Sequence, residues 1–477
     1  MAEIYEKTSP EEIEEEREQE DGGKRPYYFQ LDVLKAVAIA FVVMDHSLTW
    51  EIKGYLGSLF WERLSIPFFL IVMGFNMAYS FKYTASPDLK DLYTKEYFKR
   101  KIVRYVFPFL ILYMASILIG LYFGYLDTSV FLLLLYLPFW GPGNWFIFLL
   151  FSSILVFPLV YWSFTKYPKI TIILCFLSEL SLQLLMHFVF PLPFESQLEG
   201  FLVSIIRQIV LFFLPAIGLG LWFSKGYNLF DKRNWFMGIY VPISLIFMTD
   251  YTTHFFSSIP GIVGDSFSLI DVIFRGDYTL LFYGYAALLF LAAMMSIPQK
   301  ATSSVQRFVQ RVGRASYHIL LFQIFWMSLV YWAASHEAVY YHEIPNFAIE
   351  FGFPNVLYYI PFYLLNLTVS FTGGILWYEA EKRVGLKGKP WYKHVWTKRV
   401  VCLFGSVMSM IVMMASIEIV SFLTGLTQWG INQPYFILND VTGPGVMINI
   451  MIIIFFIGLC MAFIYKAFTI DDDEIPI

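Results

Sequence analysis

The sequence has few cysteines, few charged residues and no basic patch. Its three cysteines, Cys175, Cys402 and Cys460, all fall in or beside apolar segments, and their spacing is not that of a disulfide framework or a metal site. The net charge is only -4, and basic residues are not interleaved with aromatic ones in the way that nucleic-acid binding requires. We therefore expect no bound metal ion, no other bound cofactor and no nucleic-acid partner.

Apolar sequence, in contrast, is abundant. Hydrophobic residues make up 58% of the chain and the mean hydropathy is +0.61, which is above the range of soluble domains. Twelve apolar segments each approach the roughly 20 residues that a helix needs to span a bilayer. They cover roughly 33–50, 63–81, 103–126, 144–164, 169–192, 200–224, 235–249, 277–297, 316–334, 356–379, 400–424 and 445–468. The sequence thus predicts an all-α fold, a polytopic helical bundle surrounded by the lipid bilayer.

The distribution of Lys and Arg predicts the orientation of this bundle. Of the 33 basic residues, 29 fall in tails and loops on one side, three fall on the other, and one, Arg207, lies within a span. Because basic loops stay in the cytosol, both termini are predicted to be cytosolic, in the plasma membrane. We expect a disordered acidic tail at 1–30, a ten-span core at 31–385, a basic linker at 386–399, and two additional transmembrane helices with a short acidic tail at 400–477.

The first apolar segment, "LDVLKAVAIAFVVMDHSLTW", contains charged and titratable residues that a plain membrane span would avoid. His46 follows Lys35 by eleven residues, through which an ideal helix turns by about 1100°, or ~20° past three full turns. Both side chains then face the same way, about 16 Å apart along the helix. For Asp45, about 100° away, two interpretations are open: it orients the imidazole ring, or it faces a neighbouring helix. Ionisable groups within a span usually mark function.

Several motifs occur in a recognisable order. The first helix carries Lys35, ten further residues and His46, and it is followed by "RLSIPFFLIVMGF", "GNWFIFLL", "VGRASYHILLFQ" and "GILWYEAEKR". This ordered set, spread over residues 31 to 385, resembles the membrane acyltransferase-3 family. The sequence departs from the family pattern at Lys35, where the family usually has Arg, and at Gln323, where many members have a second His.

The resemblance implies acyl transfer across a membrane. The co-substrate would be a cytosolic acyl-CoA, often acetyl-CoA, and the acceptor a hydroxyl of a surface glycan or lipid-linked sugar. In the family, the counterpart of His46 is the essential catalytic residue, and the basic residue before it takes part in the same reaction. Neutral imidazole can act near pH 7 as a general base or as an acyl carrier, and both roles stay open. The main alternative is a twelve-span secondary transporter, which also uses charges within the membrane.

The predicted site has two sets of residues. The catalytic set is His46, Asp45 and Arg207. The set for binding substrate or acyl-CoA is Lys35, Asp32, Arg63, Asn144, Trp145, Glu179 and Glu379. For Arg207 two interpretations are open: it forms a buried ion pair with Glu179 that fixes helix packing, or it faces the cavity of His46 and stabilises negative charge on an acyl oxygen. The sequence does not indicate an oligomeric state.

Overall fold

The computed structural model describes residues 26–48, 53, 56–82, 88–123, 143–190, 197–253, 278–335 and 356–386, with isolated positions between 402 and 463. All regular secondary structure in these residues is helical, which confirms the predicted all-α class. In chain order the helices are α1 (Phe29–Asp45), α2 (Ser65–Lys82), α3 (Leu89–Leu92), α4 (Lys95–Lys101), α5 (Phe107–Phe123), α6 (Trp145–Lys166), α7 (Pro168–Val189), α8 (Gln197–Gln208), α9 (Leu214–Phe223), α10 (Met237–Thr253), α11 (Tyr283–Ser296), α12 (Ser304–Ser335) and α13 (Val356–Leu386). Residues 1–25, most of the predicted linker and most of the two predicted C-terminal helices lie outside the described residues, so these domain assignments stay predictions.

Among the described residues, continuous helices occur at ten of the twelve predicted segments, and the other two segments lie largely outside the described residues. Within the described residues, three of them are long and apolar enough to cross a membrane: Glu62–Lys82, α6 and α7. A fourth span results if Leu202–Gln208 and Val210–Phe223, which meet at 50°, are counted together. The other helices in the predicted segments are shorter, such as the 17-residue α1 and α10, or extend into polar sequence, such as α12. The membrane helical architecture is therefore confirmed, whereas the number of twelve spans and their orientation stay predictions.

Helix α2 lies at the centre of the core and packs closely on α9. A Cβ atom added at Gly74 would lie 2.0 Å from the carbonyl oxygen of Ile217, and one added at Gly220 would lie 2.0 Å from the carbonyl oxygen of Ile71. Only glycine fits at these two positions, because the backbone of each helix occupies the space of a side chain on the other. In lipid, where apolar burial does not drive helices together, such close backbone packing supplies much of the association.

Helix α12 packs against the beginning of α1 and the middle of α13. At Gly313 a Cβ atom would lie 2.1 Å from the carbonyl oxygen of Asp32, so α12 and α1 touch backbone to backbone. At Gly374 a Cβ atom would lie 2.4 Å from the Cα atom of Ile319. These contacts fix α1, the helix that carries Lys35 and precedes His46, between α2 and α12.

The predicted span at 200–224 is not one helix. Helix α8 ends at Gln208, a 3-10 turn occupies Val210–Phe213, and α9 follows. The Val210 N–H donates to Ser152 Oγ over 2.9 Å, and Ser178 Oγ donates to the Leu211 carbonyl over 2.9 Å. Serines of α6 and α7 thus bond backbone groups at the break, as irregular backbone at membrane depth requires.

The predicted span at 277–297 is also shorter than expected, because its helix begins only at Tyr283. The preceding turn is bonded by side chains of other helices. Glu179 Oε1 accepts the Leu280 N–H over 2.7 Å, and Ser244 Oγ donates to the Phe282 carbonyl over 3.0 Å. Hydropathy did not predict either interruption, because the apolar run continues through both of them. Helices α9 and α11 consequently begin inside the bundle.

Candidate active site

His46 lies at the end of α1, where Asp45 is the last helical residue and His46 is the C-cap. Asp45 Oδ2 lies 3.6 Å from the His46 Nδ1 atom, and Asp45 Oδ1 lies 2.5 Å from Lys53 Nζ. The Lys53 side chain is 8% exposed, so this pair is well shielded from water. The carboxylate thus lies between a lysine and the imidazole, but its 3.6 Å separation from the ring is longer than a hydrogen bond, so the orienting role of Asp45 stays a prediction.

Gly143 lies at the other nitrogen of the ring. Its φ of +88° is one that L side chains rarely adopt, so the position favours glycine on backbone grounds alone. A Cβ atom at Gly143 would lie 3.7 Å from His46 Nε2 and 3.9 Å from Leu320 Cδ1. The missing side chain therefore leaves space beside Nε2, the nitrogen that faces away from Asp45. Asn144, which follows, is the N-cap residue of α6.

Three aromatic side chains pack together, beginning with Trp145, which follows Asn144 in the sequence. The ring of Trp145, the first residue of α6, stacks on Phe213 with centroids 5.6 Å apart and lies 6.1 Å from the ring of Tyr278. The Arg63 guanidinium lies 5.6 Å from the Tyr278 ring centroid and is 8% exposed. Two residues predicted from separate motifs, Arg63 and Trp145, thus meet through Tyr278, a residue to which sequence reasoning gave no role.

We call one group of residues the His46 cluster. Its members are Asp45, His46, Lys53, Arg63, Gly143, Asn144 and Trp145.

The predicted ion pair between Glu179 and Arg207 is not formed. The Glu179 side chain is fully buried, and its Oε1 atom binds the Leu280 N–H instead. Because Ser178 bonds Leu211, this part of α7 lies level with the segment after the break, whereas Arg207 lies before it in α8. The interruption at Ile209 therefore separates the two charges. Glu179 holds the segment that carries Tyr278, and in the part of the chain that the structure describes no ion pair or hydrogen bond joins Arg207 to His46.

A second polar group surrounds the beginning of α1. Asp32 is buried, and its Oδ1 atom lies 2.6 Å from Lys35 Nζ. Its Oδ2 atom lies 3.6 Å from Arg314 Nε and accepts a hydrogen bond from the Tyr27 hydroxyl. Burial, together with this hydrogen bond, raises the pKa of Tyr27 to about 12, so the phenol stays protonated at neutral pH and acts as a donor. Gln310 Nε2 donates to the Tyr27 oxygen over 2.6 Å. These five residues form the Lys35 cluster.

Further cations lie close to the Lys35 cluster. Arg104 is near enough to Lys35 to interact with it electrostatically. Lys101 Nζ lies 5.6 Å from the ring centroid of Tyr105, and Tyr105 is tied to α12 because its carbonyl accepts the Tyr317 hydroxyl over 2.5 Å. The end of α1 that carries Lys35 therefore has a local excess of positive charge.

Glu379 belongs to neither cluster. Its carboxylate lies 3.8 Å from Arg311 Nε, and the arginine side chain is 60% exposed. Exposed pairs of this kind contribute about 0–1 kcal/mol to stability. Of the predicted residues, the His46 cluster contains Asp45, His46, Arg63, Asn144 and Trp145, and the Lys35 cluster contains Asp32 and Lys35. Glu179 belongs to neither cluster, but it bonds the backbone of the segment that carries Tyr278.

Sequence reasoning missed Lys53, which it counted only as a loop charge. A usable signal was present, because Lys53 is one of few basic residues on its predicted side of the membrane and follows Asp45 by eight positions. The chemical capacity of the cluster is that of an imidazole beside a carboxylate, with its second nitrogen next to a glycine. Such a group can take a proton from a hydroxyl or accept an acyl group.

Comparison with known proteins identifies the chain by family. Residues 28–372 match the family model of the acyltransferase-3 family, described as an acyltransferase domain. No curated protein matches the chain, and no solved structure does.

Proposed function

Because the chain belongs to the acyltransferase-3 family and is a membrane acyltransferase, we propose that it moves an acetyl group from cytosolic acetyl-CoA to a hydroxyl of a carbohydrate on the other side of the plasma membrane. The acceptor is a surface polysaccharide or a lipid-linked sugar, as the resemblance implies. Family membership favours this enzyme over the secondary transporter that the span count alone would also allow.

The observation that carries this proposal is the placement of two unlike groups at the two ends of α1. The Lys35 cluster and the neighbouring Arg104 and Lys101 provide an excess of positive charge, which suits the phosphates of a CoA head group. His46 lies eleven residues further along, about 16 Å away on a helix of ideal rise. A donor with a charged head and a long arm that ends in a thioester matches this separation.

The chemistry follows from the orientation of His46. Nδ1 faces Asp45, so Nε2 takes the proton of the acceptor hydroxyl as the hydroxyl oxygen attacks the thioester carbonyl carbon. The carbon–oxygen ester bond forms, the carbon–sulfur bond breaks, and the proton passes from Nε2 to the departing thiolate. The products are the acyl ester and CoA with a free thiol. Asp45 stabilises the imidazolium that exists between the two proton transfers.

A transfer assay tests the function. Purified protein in lipid vesicles is given acetyl-CoA labelled in the acetyl group, together with a panel of polysaccharides and lipid-linked sugars, and both free thiol and labelled acceptor are measured. We expect label in a carbohydrate with wild type and none with His46→Ala. The matched control is His187→Ala, a half-buried histidine of α7 outside both clusters, which should transfer normally. A wild-type protein that neither transfers nor hydrolyses the label would favour the transporter.

The same assay without an acceptor separates the two roles of His46. A general base leaves the protein unlabelled, whereas an acyl carrier retains acetyl on the protein after rapid quenching. We assign His46 the general-base role, so retained label that disappears in His46→Ala would contradict this assignment while leaving the overall function intact.

Thiol labelling tests the location in the membrane. With the three native cysteines replaced by serine, Leu56→Cys probes the connection before α2, and Phe230→Cys probes the one between α9 and α10; both side chains are well exposed. In intact cells an impermeant reagent should label Leu56→Cys from outside and should not label Phe230→Cys. The reverse pattern would place the termini outside.

A further inference from the structure

A buried amide on α12 has no hydrogen-bond partner. The side chain of Gln323 is fully buried, and both its Oε1 and its Nε2 atoms are without a partner in the part of the chain that the structure describes. Buried amides are nearly always bonded. Asn234, also buried, shows the usual situation, because its Oδ1 accepts from Trp222 and its Nδ2 donates to the Asn228 carbonyl. Gln323 therefore has capacity for both donation and acceptance that the described residues do not use.

The position of Gln323 on α12 directs this capacity towards His46. Leu320 Cδ1 and His46 Nε2 lie within 3.9 Å and 3.7 Å of the point that a Cβ atom of Gly143 would occupy. Two turns along the same helix, Trp326 Nε1 donates to Asn366 Oδ1, and Asn366 Nδ2 donates to Ser47 Oγ, next to His46.

Gln323 lies between these two contact points. It follows Leu320 by three residues and precedes Trp326 by three, so it is rotated by about 60° from each and stands on the ridge between them. Both ends of that ridge reach the end of α1 at which His46 lies. Gln323 thus lies on the part of α12 that borders the region of His46 and Gly143.

We propose that Gln323 is a catalytic residue whose amide binds the acyl carbonyl. Its Nε2–H group donates a hydrogen bond to the carbonyl oxygen of the thioester, and this bond strengthens as the oxygen gains negative charge during attack of the acceptor hydroxyl. The amide keeps its proton throughout, so the bond changes remain those of the acyl transfer. This inference rests on the proposed function and adds to it the group that stabilises the developing oxyanion.

Sequence reasoning offered Arg207 for the same role, and the two residues can be compared directly. No ion pair or hydrogen bond among the described residues joins Arg207 to His46, whereas Gln323 lies between Leu320, which borders Gly143 together with His46, and Trp326, which is linked through Asn366 to Ser47. We therefore expect a larger loss of turnover on removal of the Gln323 amide than on removal of the Arg207 guanidinium.

The experiment combines turnover with thermal unfolding. Gln323→Met keeps the length of the side chain and removes both hydrogen-bonding atoms. Because the amide has no partner among the described residues, the melting temperature of the purified variant should equal or exceed that of wild type. With labelled acetyl-CoA and the acceptor found for wild type, kcat should fall by about 10²–10³-fold while KM stays close to the wild-type value. Gln323→His, which retains an N–H donor, should recover part of the lost kcat.

Asn234→Leu is the matched control, because it removes a buried amide that is bonded. It should lower the melting temperature and leave the kcat of the folded protein unchanged. A melting temperature of Gln323→Met as low as that of Asn234→Leu would mean that the amide is structural, and would overturn the inference. So would normal turnover of Gln323→Met, above all if Arg207→Leu is inactive. A wild-type protein without any transfer would instead overturn the proposed function, and the inference with it.

Discussion

The two ends of α1 differ in how their charged side chains are paired. At the Lys35 end, the buried Asp32 carboxylate is shared among Lys35, Arg314 and the Tyr27 hydroxyl. At the His46 end, Asp45 uses one oxygen for Lys53 and holds the imidazole only at 3.6 Å, and the nearby Gln323 amide has no partner among the described residues. A carboxylate shared among several donors holds them in place, whereas a buried amide without a partner among the described residues has hydrogen-bonding capacity that a substrate can use.

This difference indicates how substitutions at the two ends of α1 should affect the reaction. At the Lys35 end, Asp32 already holds Lys35, Arg314 and Tyr27 in place. At the His46 end, the imidazole and the Gln323 amide are the groups that we propose to act on the acyl group itself. We therefore expect substitutions at the Lys35 end to act mainly on binding, and substitutions at the His46 end to act mainly on turnover.

The largest effect is expected from His46→Ala. Removing an essential general base lowers the rate by at least ~10²-fold, so transfer of labelled acetyl should fall to background. Expression and melting temperature should stay near those of wild type, since His46 is the helix cap and the core of α1 is intact. A variant that keeps most of the wild-type turnover would show that the two ends do not differ as described.

Gly143→Ala tests the space beside Nε2. A methyl group there would lie 3.7 Å from the imidazole nitrogen, and the φ of +88° is unfavourable for alanine. We expect kcat to fall by about a hundred-fold, because small displacements at a reacting centre are costly, and stability to fall by roughly 1–3 kcal/mol. Gly238→Ala is the control, since a Cβ atom there meets nothing within 4 Å. Equal activity of the two variants would contradict a site at this position.

Lys53→Met removes the partner of Asp45 and tests positioning of the ring. We expect kcat to fall between about ten- and a hundred-fold with KM little changed, because the carboxylate loses the cation that holds it beside the imidazole. Lys53→Arg should restore most of the turnover. In a protein that already carries Asp45→Asn, Lys53→Met should lower kcat only a little further. Additive losses of kcat in this double-mutant cycle would show that Lys53 acts independently of Asp45.

The smallest effect is expected at the opposite end. Lys35→Ala should lose most of the activity, about ten-fold in kcat/KM through a raised KM for acetyl-CoA, because one charge-assisted contact is removed from several. Lys35→Arg should keep substantial activity. An inactive Arg variant beside an active Ala variant would mean that this position serves membrane orientation instead.

Sequence reasoning reached the helices and the two ends of α1 because both are local properties. Apolar runs define α1, α2, α6 and α7 directly, and the spacing of Lys35 and His46 along one helix fixes their relative positions. The sequence did not predict the breaks before α9 and α11, because the side chains that bond the backbone there lie on other helices. These side chains belong to Ser152, Ser178 and Glu179. Lys53 was counted only as a loop charge, and Gln323 was noted only as the position where many family members have a second His, because the surroundings of both side chains depend on packing that a single sequence does not state.

The reciprocal glycine contact between α2 and α9 has a consequence for biogenesis. α2 is complete at Lys82, whereas its partner begins only at Leu214, so the ribosome must deliver several intervening helices before the two can meet. Until then α2 stands in the membrane with lipid in the groove beside Gly74. The tightest interface of the core therefore closes late, after insertion, and lipid must leave the groove for it to form. Bulky replacements at Gly74 or Gly220 should be inserted normally and fail at this final step, which makes both positions natural sites for temperature-sensitive variants.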